Sequence, residues 1–219
     1  MSESHDSNES SSVEEETLDP RDAAVLLSET KRKASVGLEL NSLVLSVLGS
    51  FALPIGFGII WWSVRHQHPY QGPTVDAIGL FYLLILVIDV VAVTTLRRTS
   101  RGVGGQYKKN RRMLAGMGGV GLIGTFTIMG ALEHAHVSNV VVYGIYPATV
   151  PLLVGGLIGA VAASQREDWT VYFAALCISV VAAGAAFAGP AGAWAVSGFG
   201  CGAVFLVCAG VKLYQRHAR

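Results

Sequence analysis

Asp89 is the residue of this chain that most needs a chemical explanation. It stands in the run LLILVIDVVAVTT, with only apolar residues on either side for four or more positions. An ionised carboxylate at membrane depth is costly, and such groups face a bundle interior or a wet cavity. No Lys or Arg lies inside any of the apolar runs to pair with it, so Asp89 is either protonated or hydrated. Two roles stay open. It binds a cation or relays protons in a transport cycle, or its protonated form bonds a hydroxyl on a neighbouring helix. Ser50 is nearest in expected depth, Ser46 is deeper and Thr125 shallower.

A second constellation is polar and loop-borne. His66 and His68 flank Gln67 in one connection, and Glu133, His134 and His136 lie in another. Neutral imidazoles with a carboxylate hold zinc or copper when they converge. The spacing is not a diagnostic metal signature, and solvated loop histidines are the plain alternative. A metal ion at these histidines is the one cofactor that the residues suggest.

The elements that must position these groups follow from composition. Of 219 residues, 52% are hydrophobic and 14% charged, against about 25% charged in a soluble domain. Residues 1–18 are rich in Ser and Glu without Lys or Arg, and are expected to be a disordered acidic tail. In residues 19–40, Asp19 suits a helix cap and Pro20 a first turn. Ala23, Leu26, Leu27, Thr30 and Ala34 then recur on one stripe. This reads as a short amphipathic cytoplasmic helix or as an extension of the first span. Arg32–Ser35 loosely fits a phosphorylation pattern.

Six apolar runs follow, near 42–63, 77–96, 113–132, 140–163, 169–188 and 191–211. Each approaches the roughly 20 residues that cross a hydrocarbon core. The expected fold is an all-α membrane protein, with about six transmembrane helices over 41–213 and a basic cytoplasmic C-terminus at 214–219. No cleavable leader is apparent, so the first run is expected to act as an uncleaved anchor. Of the 16 Lys and Arg, all but Arg65 fall on one side of such a topology, which makes that side cytoplasmic. Both termini then lie inside. Asp89 sits about 18 Å from the outer end of the second span at 1.5 Å per residue.

Other residues speak of packing. Gly116, Gly118, Gly119, Gly121 and Gly124 crowd the third span; Gly155 and Gly159, and Gly198 and Gly202, recur at four-residue spacing. Small residues let helices approach closely in lipid. Pro54, Pro147 and Pro151 are expected to break the first and fourth spans, as in transporters built from inverted repeats. Trp61, Trp62 and Tyr70 suit an interfacial belt, and HPYQGP a turn. Cys177, Cys201 and Cys208 read as buried small hydrophobes or, for Cys177 and Cys201, a redox pair. The basic stretch Arg97–Arg112 sets topology and could also grip anionic headgroups.

Two stretches, LDPRDAAVLLSETKRKAS at 18–35 and WWSVRHQHPYQGP at 61–73, resemble a group of uncharacterised actinobacterial polytopic membrane proteins, some labelled transporter-like. The resemblance implies a bacterial plasma membrane and transfers no functional residue. Intramembrane proteolysis needs a second Asp, a Ser–His pair or HExxH, none of which lies in the spans, so no enzyme is expected. The expected function is a small transporter or permease subunit that uses Asp89 for cation or proton coupling. The alternative is a membrane anchor or scaffold that recruits a cytoplasmic partner through its tail. Expected partners are the bilayer, a second copy or another membrane subunit, and no nucleic acid.

Overall fold

The computed structural model describes residues 20–99, 106–165 and 167–218, which hold helices and no strand. The acidic tail, the side chains of the 19–40 stripe and those of Arg97–Arg112 lie outside the described residues, as does the side chain of Asp89. The chain divides into two units, Met1–Gly37 and Leu38–Arg219, and the helix bundle belongs to the second.

The elements in order are α1 (Pro20–Val64), α2 (Val75–Thr99), α3 (Gln106–His134), a π-helical turn at Val140–Ile145, α4 (Tyr146–Ser164), α5 (Trp169–Ala185), a 3-10 turn at Ala186–Ala188, and α6 (Gly189–His217). Helices are the outcome because a backbone in lipid must satisfy its own hydrogen bonds. Four segments are long and apolar enough to cross a bilayer: Leu43–Val64, Met113–His134, Val140–Ser164 and Trp169–His217. Val75–Ile88 is a shorter apolar helix. The 49-residue segment Trp169–His217 folds back on itself at Gly189, whose φ of 77° suits glycine, with Pro190 in the first turn of α6. Asp168 starts α5: its Oδ1 accepts from the Val171 N–H at 3.1 Å. Its Oδ2 meets Lys212 Nζ at 2.9 Å, which ties the start of α5 to the end of α6.

Packing is inverted relative to a soluble protein. The buried positions are largely small: Ala148, Ala160, Ala163, Ala175, Ala182, Ala185 and Ala193. Phe51, Leu83, Leu86, Ile123, Phe173 and Val180 point outward. The one cluster of large buried side chains among the described residues gathers Phe57, Ile60 and Val64 of α1 with Trp194 of α6, closed by Ala148 and Ala193. Phe81 of α2 meets Phe57 edge-on at 5.3 Å.

Three sequence expectations are revised. Pro54 does not break α1, which runs through it. Proline lacks the N–H that the Ser50 carbonyl would accept, and Gly202 of α6 lies against both groups. A Cβ there would stand 2.8 Å from Pro54 Cδ and 3.1 Å from the Ser50 oxygen. In the fourth span the irregularity is the π turn before α4; Pro147 occupies the first turn of α4, and Pro151 is carried inside it. The tight glycine of α4 is Gly156, not Gly155 or Gly159: a Cβ on Gly156 would meet Ser179 Oγ and come within 2.8 Å of the Ala175 carbonyl on α5. Of the α3 glycines, only Gly121 touches a neighbouring helix, whereas Gly116, Gly118, Gly119 and Gly124 face open space.

Gly198 and Gly202 both sit flush on α1, against Phe57 and Pro54. Gly202→Leu is expected to destabilise the fold by about 1–3 kcal/mol or more through overpacking. Gly116→Ala, on an open helix face, is expected to be neutral or stabilising by up to about 1 kcal/mol. Unfolding of the two purified variants in graded SDS, read by circular dichroism, checks the contrast.

Candidate functional site

Polar chemistry collects at the end of the bundle that carries Trp61 and Trp62. Loop 66–74 folds back there because Gly72 adopts a φ of 101° and presents an open backbone to Tyr143 of the π turn, where a Cβ would lie 3.2 Å from Tyr143 Cβ. Thr74 then starts α2, its hydroxyl accepting from the Ala77 N–H at 3.4 Å. The loop is braced internally: Gln67 donates to the Ser63 carbonyl at 3.2 Å and accepts from the Gln71 N–H.

Tyr70 is the residue that docks this loop. Half-buried, its ring packs on the large-residue cluster and its hydroxyl donates to the Tyr143 carbonyl at 3.0 Å. Burial pushes the phenol above its ordinary pKa of 10, partly offset by the approaching Trp194 indole. The phenol therefore stays a donor through neutral pH. Tyr143 passes the linkage on, its hydroxyl donating to Glu133 Oε1 at 2.6 Å. Tyr146 donates to the Thr125 carbonyl of α3 at 2.9 Å. Gly144 of the same turn abuts Pro190, where a Cβ would come within 2.7 Å of Pro190 Cβ. The connections after α1, α3 and α5 thus meet through the π turn. Arg65 lies at this end too, its guanidinium 3.3 Å from the Trp62 ring centre, a cation–π stack.

The sequence-selected residues fare unequally. Glu133 is in the network, but as the acceptor of Tyr143. His66, His68 and His136 of the loops and His134 at the end of α3 are exposed, and among the described residues no three of His, Cys, Asp and Glu come close enough to hold a metal ion. Asp89 lies on α2. Of the hydroxyls named as its partners, Ser50 donates to the Val47 carbonyl at 2.7 Å and Thr125 to the Leu122 carbonyl at 2.7 Å, and Ser46 has Cys208 Sγ among its partners at 3.7 Å; the Asp89 side chain itself lies outside the described residues. Cys177 is exposed whereas Cys201 and Cys208 are buried, and all three are free thiols.

Sequence reasoning missed Tyr70 and Tyr143 as a docking pair, and missed Ser197. Thr149 returns its hydroxyl to the Ile145 carbonyl one turn back, the usual way to satisfy a hydroxyl in a helix, and Ser179 reaches both the Ala175 carbonyl of its own helix at 3.2 Å and the Leu153 carbonyl of α4 at 3.3 Å. The Ser197 hydroxyl is wholly buried on α6 without a hydrogen-bond partner among the described residues. No signal in the sequence separates it from the others.

No protein-family model, curated protein or solved structure matches the chain. What the fold establishes is the class: among the described residues, a helical protein with four segments long and apolar enough to cross a bilayer and many large apolar side chains on its outer surface.

Tyr70→Phe removes the hydrogen bond from loop 66–74 to the Tyr143 carbonyl. A loss of about 1 kcal/mol in stability is expected, with faster amide exchange confined to residues 66–74 and 140–146, measured by hydrogen exchange with mass spectrometry.

Proposed function

We propose that the chain is a small transporter or permease subunit of a bacterial plasma membrane, crossing it six times with both termini in the cytoplasm, and coupling to a cation or proton through Asp89. The observation that carries the reading is a lone carboxylate near the middle of α2, 14 residues beyond Val75, or about 21 Å along the helix. An intramembrane acid is by default a functional group.

Several features support six crossings. Trp169–His217 doubles back, so it supplies two. Asp168 and Lys212 close one end of this hairpin while Pro190 meets Gly144 at the other. The apolar stretch of α2 extends Val75–Ile88 through the VVAV that follows Asp89. The odd-numbered connections then share the Arg65 side, and the remaining Lys and Arg share the opposite side, which the positive-inside rule places in the cytoplasm. The π turn adds a point of irregular helix of the kind often found at functional sites. The chain's own residues provide no nucleotide-binding motif, so energy would come from an ion gradient or from a separate subunit.

Proteoliposomes carrying a trapped pH dye test the assignment. With a proton or sodium gradient imposed, the intact protein is expected to carry flux well above empty vesicles. Asp89→Asn is expected to remove that flux, by at least about tenfold, with unaltered SDS unfolding. Equal fluxes for the two proteins would take Asp89 out of the mechanism.

A further inference from the structure

One cation stands apart from the others. Arg65 is the only Lys or Arg between Lys33 and Arg97, and it follows directly on the end of α1. Its backbone N–H donates to the Trp61 carbonyl at 2.9 Å, so helical winding continues one residue past Val64. The side chain then folds back over the last turn. Its guanidinium lies 3.3 Å from the centre of the Trp62 ring and 5.4 Å from that of Trp61. Such a stack holds the planar cation against the indole face.

The edge that this stack leaves free sets the ligand chemistry. Among the described residues Arg65 pairs with no carboxylate. Glu133 at this end accepts from Tyr143 instead, and Asp76 stands in the first turn of α2, where the helix dipole favours it. Of the three guanidinium nitrogens, Nε alone is buried without a partner, so Nη1 and Nη2 form the edge open to a ligand. Two parallel N–H donors on a planar cation match two oxygens of one anion. The surface below Arg65 says which anion. Val47, Phe51, Ile55 and Trp62 are exposed on one face of α1, and Arg65, three residues beyond Trp62, continues that face. Between Ile55 and Trp62 the face is low, because a Cβ on Gly58 would meet nothing within 4 Å. From Phe51 to Trp62 is eleven residues, about 16 Å, close to half of a hydrocarbon core of about 30 Å. An apolar strip one leaflet long thus leads up to an unpaired cation, in the same order as acyl chain and phosphate in a phospholipid. A second copy docked on the strip about a two-fold axis would instead bring two Arg65 cations together.

We propose that Arg65, held flat by Trp62, binds the phosphodiester of one phospholipid in the leaflet on its own side. Nη1 and Nη2 donate to the two non-bridging phosphate oxygens, and an acyl chain lies along Phe51, Ile55 and Gly58. The bound lipid sets the depth of α1 at the point where loop 66–74 begins, independently of any role for Asp89.

Full-length protein is extracted from vesicles of equal phosphatidylcholine and digalactosyldiacylglycerol, and the lipid that it retains is counted by native mass spectrometry. Neither lipid carries a net charge, so the comparison reads the phosphate itself. One phosphatidylcholine is expected to be kept in preference to the glycolipid. Arg65→Gln is expected to cut that preference about tenfold, the worth of a charge-assisted hydrogen bond. Trp62→Leu, which takes away the surface under the guanidinium, is expected to lower it as well. Arg65→Lys keeps the charge without the paired donors, and is expected to recover only part of the preference. The proposal is overturned if the parent keeps both lipids equally, if Arg65→Gln keeps phosphatidylcholine as the parent does, or if Arg65→Lys matches the parent. Two further results would also overturn it. Displacement of the lipid by excess inorganic phosphate would give the site to the free ion, and a parent dimer that Trp62→Leu splits into monomers would give this face to a second copy.

Discussion

Backbone contact at three glycines is the constraint on which the rest of this architecture depends. Lipid tails are as apolar as leucine, so no hydrophobic force drives one helix against the next within the bilayer; close van der Waals approach must do so. Gly198 and Gly202 allow α6 to lie on α1, and Gly156 allows α4 to lie on α5. Around these points the interior is built mainly from alanine and serine, and the bulky residues are left to face the hydrocarbon. The exception is the Phe57, Ile60, Val64 and Trp194 cluster, beneath the loop that Tyr70 anchors.

Polar chemistry is divided accordingly. Several hydroxyls inside the bundle are satisfied by carbonyls of their own helices. Bonds that join distant parts of the chain include Ser179 to the Leu153 carbonyl within the bundle, the Tyr70–Tyr143–Glu133 chain at one end and the Asp168–Lys212 pair at the other. Asp168 serves twice, since one oxygen caps α5 and the other holds the last helix. Among the described residues the Ser197 hydroxyl stands outside this division.

How much was legible in the sequence depends on whether a feature is local. The long apolar runs mark their own limits: expected spans at 42–63, 113–132 and 140–163 correspond to Leu43–Val64, Met113–His134 and Val140–Ser164. The Gly189–Pro190 turn could likewise be read directly. Which glycine meets a neighbour could not. Gly155 and Gly156 differ by one residue, which on a helix is a rotation of about 100°, and only the placement of α5 makes Gly156 the contact. The same applies to the loop residues. The loop histidines would hold a metal only if their two loops converged; the loops do approach, but Tyr70 and Tyr143 make the junction. A proline marks a missing donor without saying whether the helix stops. At Pro54 it does not, because α6 lies against the site.

The π turn at Val140–Ile145 has a geometric corollary. It accommodates an extra residue within helical winding, so every position after it is displaced by one step from where a plain α-helix would put it. Were those residues to adopt ordinary winding, α4 would revolve by about 100° and Gly156 would swing off Ser179, bringing a side chain into a space that holds none. Phase and interface are thus interlocked: α4 is indexed like a key whose notch enters α5 at a single angle, and a chain one residue shorter between α3 and Pro147 would not turn in that lock.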